Sequence, residues 1–209
     1  MASVCGLILA AGASSRMGTD KALLPWPPVA AAGATLLSAA IAALKPFTQD
    51  VVVVAGKNAE KLAPIVASGG ASMVLNPAPE RGQFSSLQIG LREVLARGCD
   101  AAMITPVDCP PLSAASLKLL REAFEQTLAR GRWAVAPESN GRRGHPLLAS
   151  RALIHAFLSA PATGNARDVK RAHAQHFESV RVPDLHLGAD MNTPEEYAAI
   201  SAVAHRQPR

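Results

Sequence analysis

The sequence predicts an α/β protein: a three-layer α/β/α sandwich built around a mainly parallel sheet. Three observations carry that expectation. Short apolar runs alternate with longer stretches of helical periodicity along most of the 209 residues. One of those runs, "VVVVA" at 51–55, is apolar on both faces, as a strand covered on two sides must be. Two of the longer stretches, Ser85–Ala96 and Ser113–Arg130, put their large apolar residues on one helical stripe.

Taken in order, the strands expected are Val4–Ala10, Val51–Ala55, Ser72–Leu75, Ala101–Thr105 and Trp133–Pro137. Between them fall helices at Thr35–Lys45, after a Pro/Gly/Ala-rich loop, and at Ala59–Ala67. Leu87, Leu91, Val94 and Leu95 make the stripe of the third helix, and Leu117, Leu120, Phe124 and Leu128 that of the fourth. Past residue 138 the rhythm loosens: "ESNGRRGHPLLAS" reads as a turn and a strand, followed by helices at Ala152–Ser159 and Ala166–His176 and a strand at Ser179–Val182. In "DMNTPEEY", Thr193 as N-cap, Pro194 at the first helical position and Glu196 three residues after the cap open a last helix.

Composition narrows the classes. With 49% apolar and 18% charged residues the chain should be globular, and with only two Trp, one Tyr and five Phe its core must rest on Ala, Leu, Val and Ile. The net charge of +5 favours anionic partners, but no block of like charge and no aromatics interleaved with basic residues argue for nucleic acid. A mildly basic soluble protein and an enzyme for phosphorylated substrates fit equally well. Three cysteines, Cys5, Cys99 and Cys109, without CxxC spacing, point to reduced thiols in a cytoplasmic protein, with neither a disulfide frame nor a zinc site. No signal peptide and no membrane-spanning run is evident.

The chemistry concentrates after the first strand, in "GLILAAGASSRMGTDKALLPW" (6–26). Small residues let the backbone approach a ligand and expose its N–H groups, and strand C-termini are where open α/β sheets bind ligands. Arg16 and Lys21 could then neutralise anionic oxygens, so the loop suits a polyphosphate. Neither GxGxxG nor GxxxxGK[ST] fits, because the glycines are Gly6, Gly12 and Gly18 and Lys21 lies three residues past the last. Asp108, in "AAMITPVDCPPL", follows a buried strand and can hold a hard cation or cap the next helix, although Ser113 is better placed to cap. Asp190 is left over once Thr193 caps the last helix. Ser85 or Ser86 can be an N-cap. His145, in "GRRGHPLL", holds a turn or contacts a ligand, while Arg142 and Arg143 add charge for an anionic acceptor or are simply solvated. Cys109 contacts ligand or packs.

"LAAGASSRMGTDK" resembles the signature loop of the nucleotidyltransferases related to molybdenum-cofactor cytidylyltransferase and guanylyltransferase, L-A-[AG]-G-x-S-x-R-M-G-x-x-K, and the resemblance runs from Leu7 to Tyr197. It implies a single domain over 1–209 with the nucleotide-diphospho-sugar-transferase-like fold, a nucleotide-binding half at about 1–110 and an acceptor-binding half at about 111–209. Lys21, Arg16 and Asp108 take the catalytic roles, and Asp108 and Asp190, in "P-x-D-x-P" and "D-[IM]-[DN]-T-P-E-[DE]-Y" contexts, hold Mg²⁺. The nucleotide falls to Leu9, Ala10, Ala11, Gly12, Ser14, Ser15, Arg16, Gly18, Lys21, Asn76, Gly82, Ser85 and Ser86. His145 and Arg167 fall to the acceptor.

"AAG" in the first loop, and Gly82, Ser86 and Leu87 in a G-x-x-x-S-L context, favour CTP over GTP. The resemblance makes molybdopterin the acceptor, with a molybdoenzyme as recipient. "PATGNAR" departs from the family's "G-D-x-G-A-R" by lacking the acidic residue, which keeps methylerythritol phosphate or a sugar phosphate open as acceptor. A non-catalytic cofactor-binding accessory is the rival of another class.

Overall fold

Strand alternation sorts the core into two layers. The computed structural model describes residues 2–12, 14, 17–26, 34–184, 187–189 and 191–204. In β1 (Val4–Leu9) Val4 and Ile8 face one way while Leu7 and Leu9 face the other. In β2 (Asp50–Ala55) Val51 and Val53 oppose Val52 and Val54 in the same manner. One face is covered by α1 (Leu36–Leu44), α2 (Ala59–Ser68) and α4 (Ala114–Ala129), through Leu37, Ile41, Leu62, Leu120 and Phe124. The other is covered by α3 (Gln83–Ala96) and α5 (Arg151–Ser159), through Leu87, Leu91, Ile154 and Phe157. This is the expected three-layer sandwich.

The sheet runs β3-β2-β1-β4-β7-β5-β6, with β8 on β5. β3 (Ser72–Leu75), β2, β1 and β4 (Ala101–Pro106) are mutually parallel, with Leu7 beside both Val52 and Ile104. β7 (Leu147–Ser150) then pairs antiparallel with β4 and with β5 (Ala134–Ser139), which pairs antiparallel with the two-residue β6 (Arg142–Arg143) and parallel with β8 (Phe177–Arg181). The parallel order therefore belongs to the first half, and the second half is mixed.

α3 lies close against the sheet because residue 90 is glycine. A Cβ there would stand 2.4 Å from Leu7 Cδ1 and 2.8 Å from a Val54 methyl. Three expectations are corrected. α3 begins at Gln83, two residues before the expected Ser85, because Gly82 at φ +93° turns the chain into it, so neither Ser85 nor Ser86 is its cap. The helix expected over 166–176 ends as α6 at Ala166–Ala172, followed by a 3₁₀ turn at Ala174–His176, and β8 starts two residues before Ser179. Cys5 and Cys99 form a disulfide with Cα atoms 5.9 Å apart, and Cys109 is the free, buried thiol. The pairing of β4 with β1 brings together two cysteines 94 residues apart, a closeness no local spacing could reveal. No helix among the described residues is long and apolar enough to cross a membrane.

Candidate active site

The first loop leaves β1 at the C-terminal edge of the sheet and is held by side chains from its neighbours. Ser14 sits in the left-handed region at φ 49°, and its hydroxyl accepts from the Lys21 N–H at 3.1 Å. Asp20 caps the 3₁₀ turn Lys21–Leu23 by accepting from Ala22 N. Asn58, just ahead of α2, donates from Nδ2 to Ala10 O at 2.9 Å and to Asp20 Oδ2 at 2.7 Å, while its Oδ1 accepts from Gly56 N. One amide thus ties the start and the end of the loop to β2's exit.

That scaffold sets the Lys21 ammonium where three segments meet. Nζ donates to Asp108 Oδ2 and to Asn192 Oδ1, each at 2.9 Å. Asp108 lies two residues past the end of β4, and the Met191 N–H donates to its carbonyl, so the segment before α7 (Pro194–Ala204) is bound directly to the loop after β4. That segment is anchored at its other end by Asp184, only 2% exposed, which accepts from Ser113 N and from the Ser113 and Ser116 hydroxyls at the start of α4. Ser113 is itself the N-cap, as the sequence indicates.

Opposite Lys21, Gly82 opens α3. Asn76, 3% exposed, donates from Nδ2 to the hydroxyls of both Ser85 and Ser86 at 2.9 Å, and its Oδ1 accepts from Ala78 N. Ser85 donates to Gly82 O. Ser86 accepts from Asn76 and lines the cavity. Leu9, Ala10, Ala11, Gly12, Ser14, Lys21, Gly82, Ser86 and Asp108 line one cavity of about 240 Å³. Nine of the expected residues, from three separate stretches, therefore converge. Gly18 lines an adjoining cavity with Ser14. Asn76 and Ser85 stand behind the wall and position Ser86 and Gly82. Ser15, Arg16 and Asp190 lie outside the described residues.

A larger cleft of about 760 Å³ shares Leu9, Gly82 and Gln83 with this cavity and extends to α6. Its lining includes both expected acceptor residues, His145 and Arg167. His145 precedes β7, and its Nδ1 lies 3.3 Å from Ile104 O. Sequence reasoning missed Asn192, Asn58 and Lys170. Asn192 lay within the quoted "DMNTP" and could have been found there. Asn58 and Lys170 sit in no motif. Lys170 lines the cleft, and burial, then Arg167 and Arg143, press its ammonium below the ordinary lysine range.

Chemically, the arrangement offers a cation on a small-residue loop, a carboxylate and an amide oxygen beside it, and hydroxyl and backbone donors across a narrow gap. Comparison with known proteins gives the family. Residues 6–178 match the MobA-like NTP transferase domain family. The chain is 26% identical over 198 residues to the molybdenum cofactor cytidylyltransferase of Escherichia coli K12, covering 94% of this chain and 95% of that one. It is 29% identical over 198 residues to a probable molybdenum cofactor guanylyltransferase of Rhodopirellula baltica, covering 91% and 88%. In fold it is similar to the Mycobacterium tuberculosis protein Rv0371c in complex with manganese, with a TM-score of 0.69 at 20% identity over 96% of this chain and 98% of that one.

Proposed function

This chain belongs to the MobA-like NTP transferase family and is a nucleotidyltransferase; from that premise we propose that it is a Mg²⁺-dependent CTP:molybdopterin cytidylyltransferase acting ahead of a recipient molybdoenzyme. The observation that carries the reading is the Lys21 ammonium between Asp108 and Asn192, in one cavity with Gly12, Gly82 and Ser86.

A phosphate oxygen of the acceptor attacks the α-phosphorus of CTP in line, the bond to the bridging oxygen of the β-phosphate breaks, and pyrophosphate leaves with that oxygen. The protein forms no covalent bond, so its work is positioning and charge neutralisation. Lys21 turns from Asp108 toward the phosphate oxygens and offsets the charge that builds there. The loop at Ala11–Gly12 lets the triphosphate approach the backbone. Ser86, oriented by Asn76, donates to the base from the Gly82 side.

The donor set suits magnesium. Two oxygens, of Asp108 and Asn192, already converge on one positive charge, and a hard cation takes oxygen ligands of this kind beside substrate phosphates. Asp108 and, by the family resemblance, Asp190 would hold the ion, which when bound withdraws charge from the leaving pyrophosphate.

CTP is favoured by the residues at the base wall, Gly82, Ser86 and Leu87 in the cytidylyltransferase-like pattern. A guanylyltransferase is the second reading, supported by the Rhodopirellula relative. Pyrophosphate release, measured with CTP, GTP and ATP against molybdopterin, methylerythritol phosphate and sugar phosphates, with and without Mg²⁺, decides. Release only with CTP, molybdopterin and Mg²⁺ is expected. Preference for GTP moves the assignment to guanylyl transfer, release with another acceptor changes the substrate, and no release with any pair leaves a cofactor-binding accessory.

A further inference from the structure

α6 carries a cation that the nucleotide cavity does not use. Lys170 lines the 760 Å³ cleft with Arg167, and also a neighbouring cavity of about 260 Å³ with Arg143 and His145. Lys21 and Asp108 line neither. Lys170 is half-buried, and no carboxylate lies within ion-pair distance of it among the described residues. The acidic residue of the cleft lining, Asp168, is engaged elsewhere: its oxygens accept from Asn165 Nδ2 at 2.7 Å and from Arg171 at 3.1 Å, and Asn165 Oδ1 in turn caps the Asp168 N–H. Arg143 is steadied by Nε donating to Ser179 Oγ at 2.7 Å.

Arg167 shares the larger cleft with Lys170 and Arg143 shares the smaller cavity with it, so Lys170 stands where like charges from β6 and α6 repel one another. Arg143 and Arg167 are exposed, whereas partial burial strips water from the Lys170 ammonium, which yields part of its affinity for the proton. An arrangement of this kind is relieved by an anion held among the three, and the cleft that admits one opens into the nucleotide cavity at Gly82 and Gln83.

We propose that Lys170, between Arg143 and Arg167, holds a second anionic group of the acceptor, on the side of the cleft away from Lys21, so that the acceptor class is a molecule with an anionic function besides its reacting phosphate. This rests on the transferase reading above. It adds a specificity element: a monoanionic phosphate ester fills only the Lys21 side, whereas an acceptor anionic at both ends is gripped at two points and aligned for attack.

The test has a binding arm and a kinetic arm, both on the full chain. In the binding arm, protein carrying ¹³C-labelled lysine is titrated with inorganic phosphate without nucleotide, and the Lys170 ε-carbon is followed against pH. The midpoint is expected below the ordinary lysine value and should rise when phosphate is added. Lys170→Gln should weaken phosphate binding about tenfold, with Lys170→Arg restoring most of it. A Lys170 midpoint indifferent to phosphate, or wild-type binding by Lys170→Gln, overturns the proposal even if no acceptor is ever turned over.

In the kinetic arm, Lys170→Gln should lower kcat/KM for a doubly anionic acceptor about tenfold and leave the KM for CTP at its wild-type value. The same loss with a singly phosphorylated acceptor, or a shift in the KM for CTP, overturns it. If phosphate responds as expected while no pair releases pyrophosphate, the transferase reading fails and the anion site stands.

Discussion

The two ends of the ligand groove treat charge in opposite ways. At the parallel end, between β1 and β4, each described charged group facing the cavity is already answered: Lys21 by Asp108 and Asn192, and Asp20 by Asn58 and the Ala22 N–H. At the mixed end, around β6, β7 and α6, Lys170 faces Arg143 and Arg167 with the nearby carboxylate of Asp168 committed to other partners. On the proposed reading the first end suits a ligand that brings its own counter-ion, as a metal-bound triphosphate does. The second is poised for a bare anion. The difference teaches that the two ends of one groove can be told apart by how much charge each leaves uncompensated.

The comparison can be broken at the parallel end first. Lys21→Ala should lower kcat/KM by about 10²-fold or more in a pyrophosphate-release assay, with the fold intact by circular dichroism; near wild-type turnover would remove the loop from catalysis. Packing beneath the same end gives the next effect. Gly90→Ala forces a methyl onto Leu7 and Val54, and chemical denaturation should show a loss of about 1–3 kcal/mol. Asn58→Ala cuts the tie between Ala10 and Asp20. It should cost about tenfold in kcat/KM for CTP, and about 1 kcal/mol in stability, as loss of a part-buried hydrogen-bonded amide does.

The smallest effect is expected at the mixed end. Glu178 bonds the Arg130 guanidinium and accepts from Thr127 at 2.8 Å, and the arginine, then the threonine, hold its carboxyl below the usual range. A depressed value means stability that is present above the ordinary carboxylate pKa and lost as pH falls through the folded value. Glu178→Gln should therefore melt earlier than wild type at pH 7 and converge with it in acid, with turnover unaffected. A turnover loss in this variant would mean that the mixed end is coupled to chemistry through β8.

Legibility followed the same division. The first loop reads directly, because Leu9 through Gly12 and Ser14 act through backbone and small side chains whose spacing is local, and all of them reach the cavity. Asp108 reads from a strand end stiffened by prolines. At the mixed end the sequence supplies His145 and Arg167, but not Lys170, whose meaning depends on Arg143 arriving from another element. The Cys5–Cys99 pairing and the role of Asn58 were hidden for the same reason: each is a contact between segments that strand pairing brings together.

By itself, then, the sequence determined the layering and the small-residue loop after β1. Apolar periodicity and small-residue spacing are properties of neighbouring residues and survive without a fold. Only the tertiary structure decided where charge stays unanswered. The parallel strands bring Lys21 and Asp108 together and the segment before α7 adds Asn192, while β6 and α6 bring like charges together, and Coulomb energy depends on distances that the chain acquires only when the sheet closes.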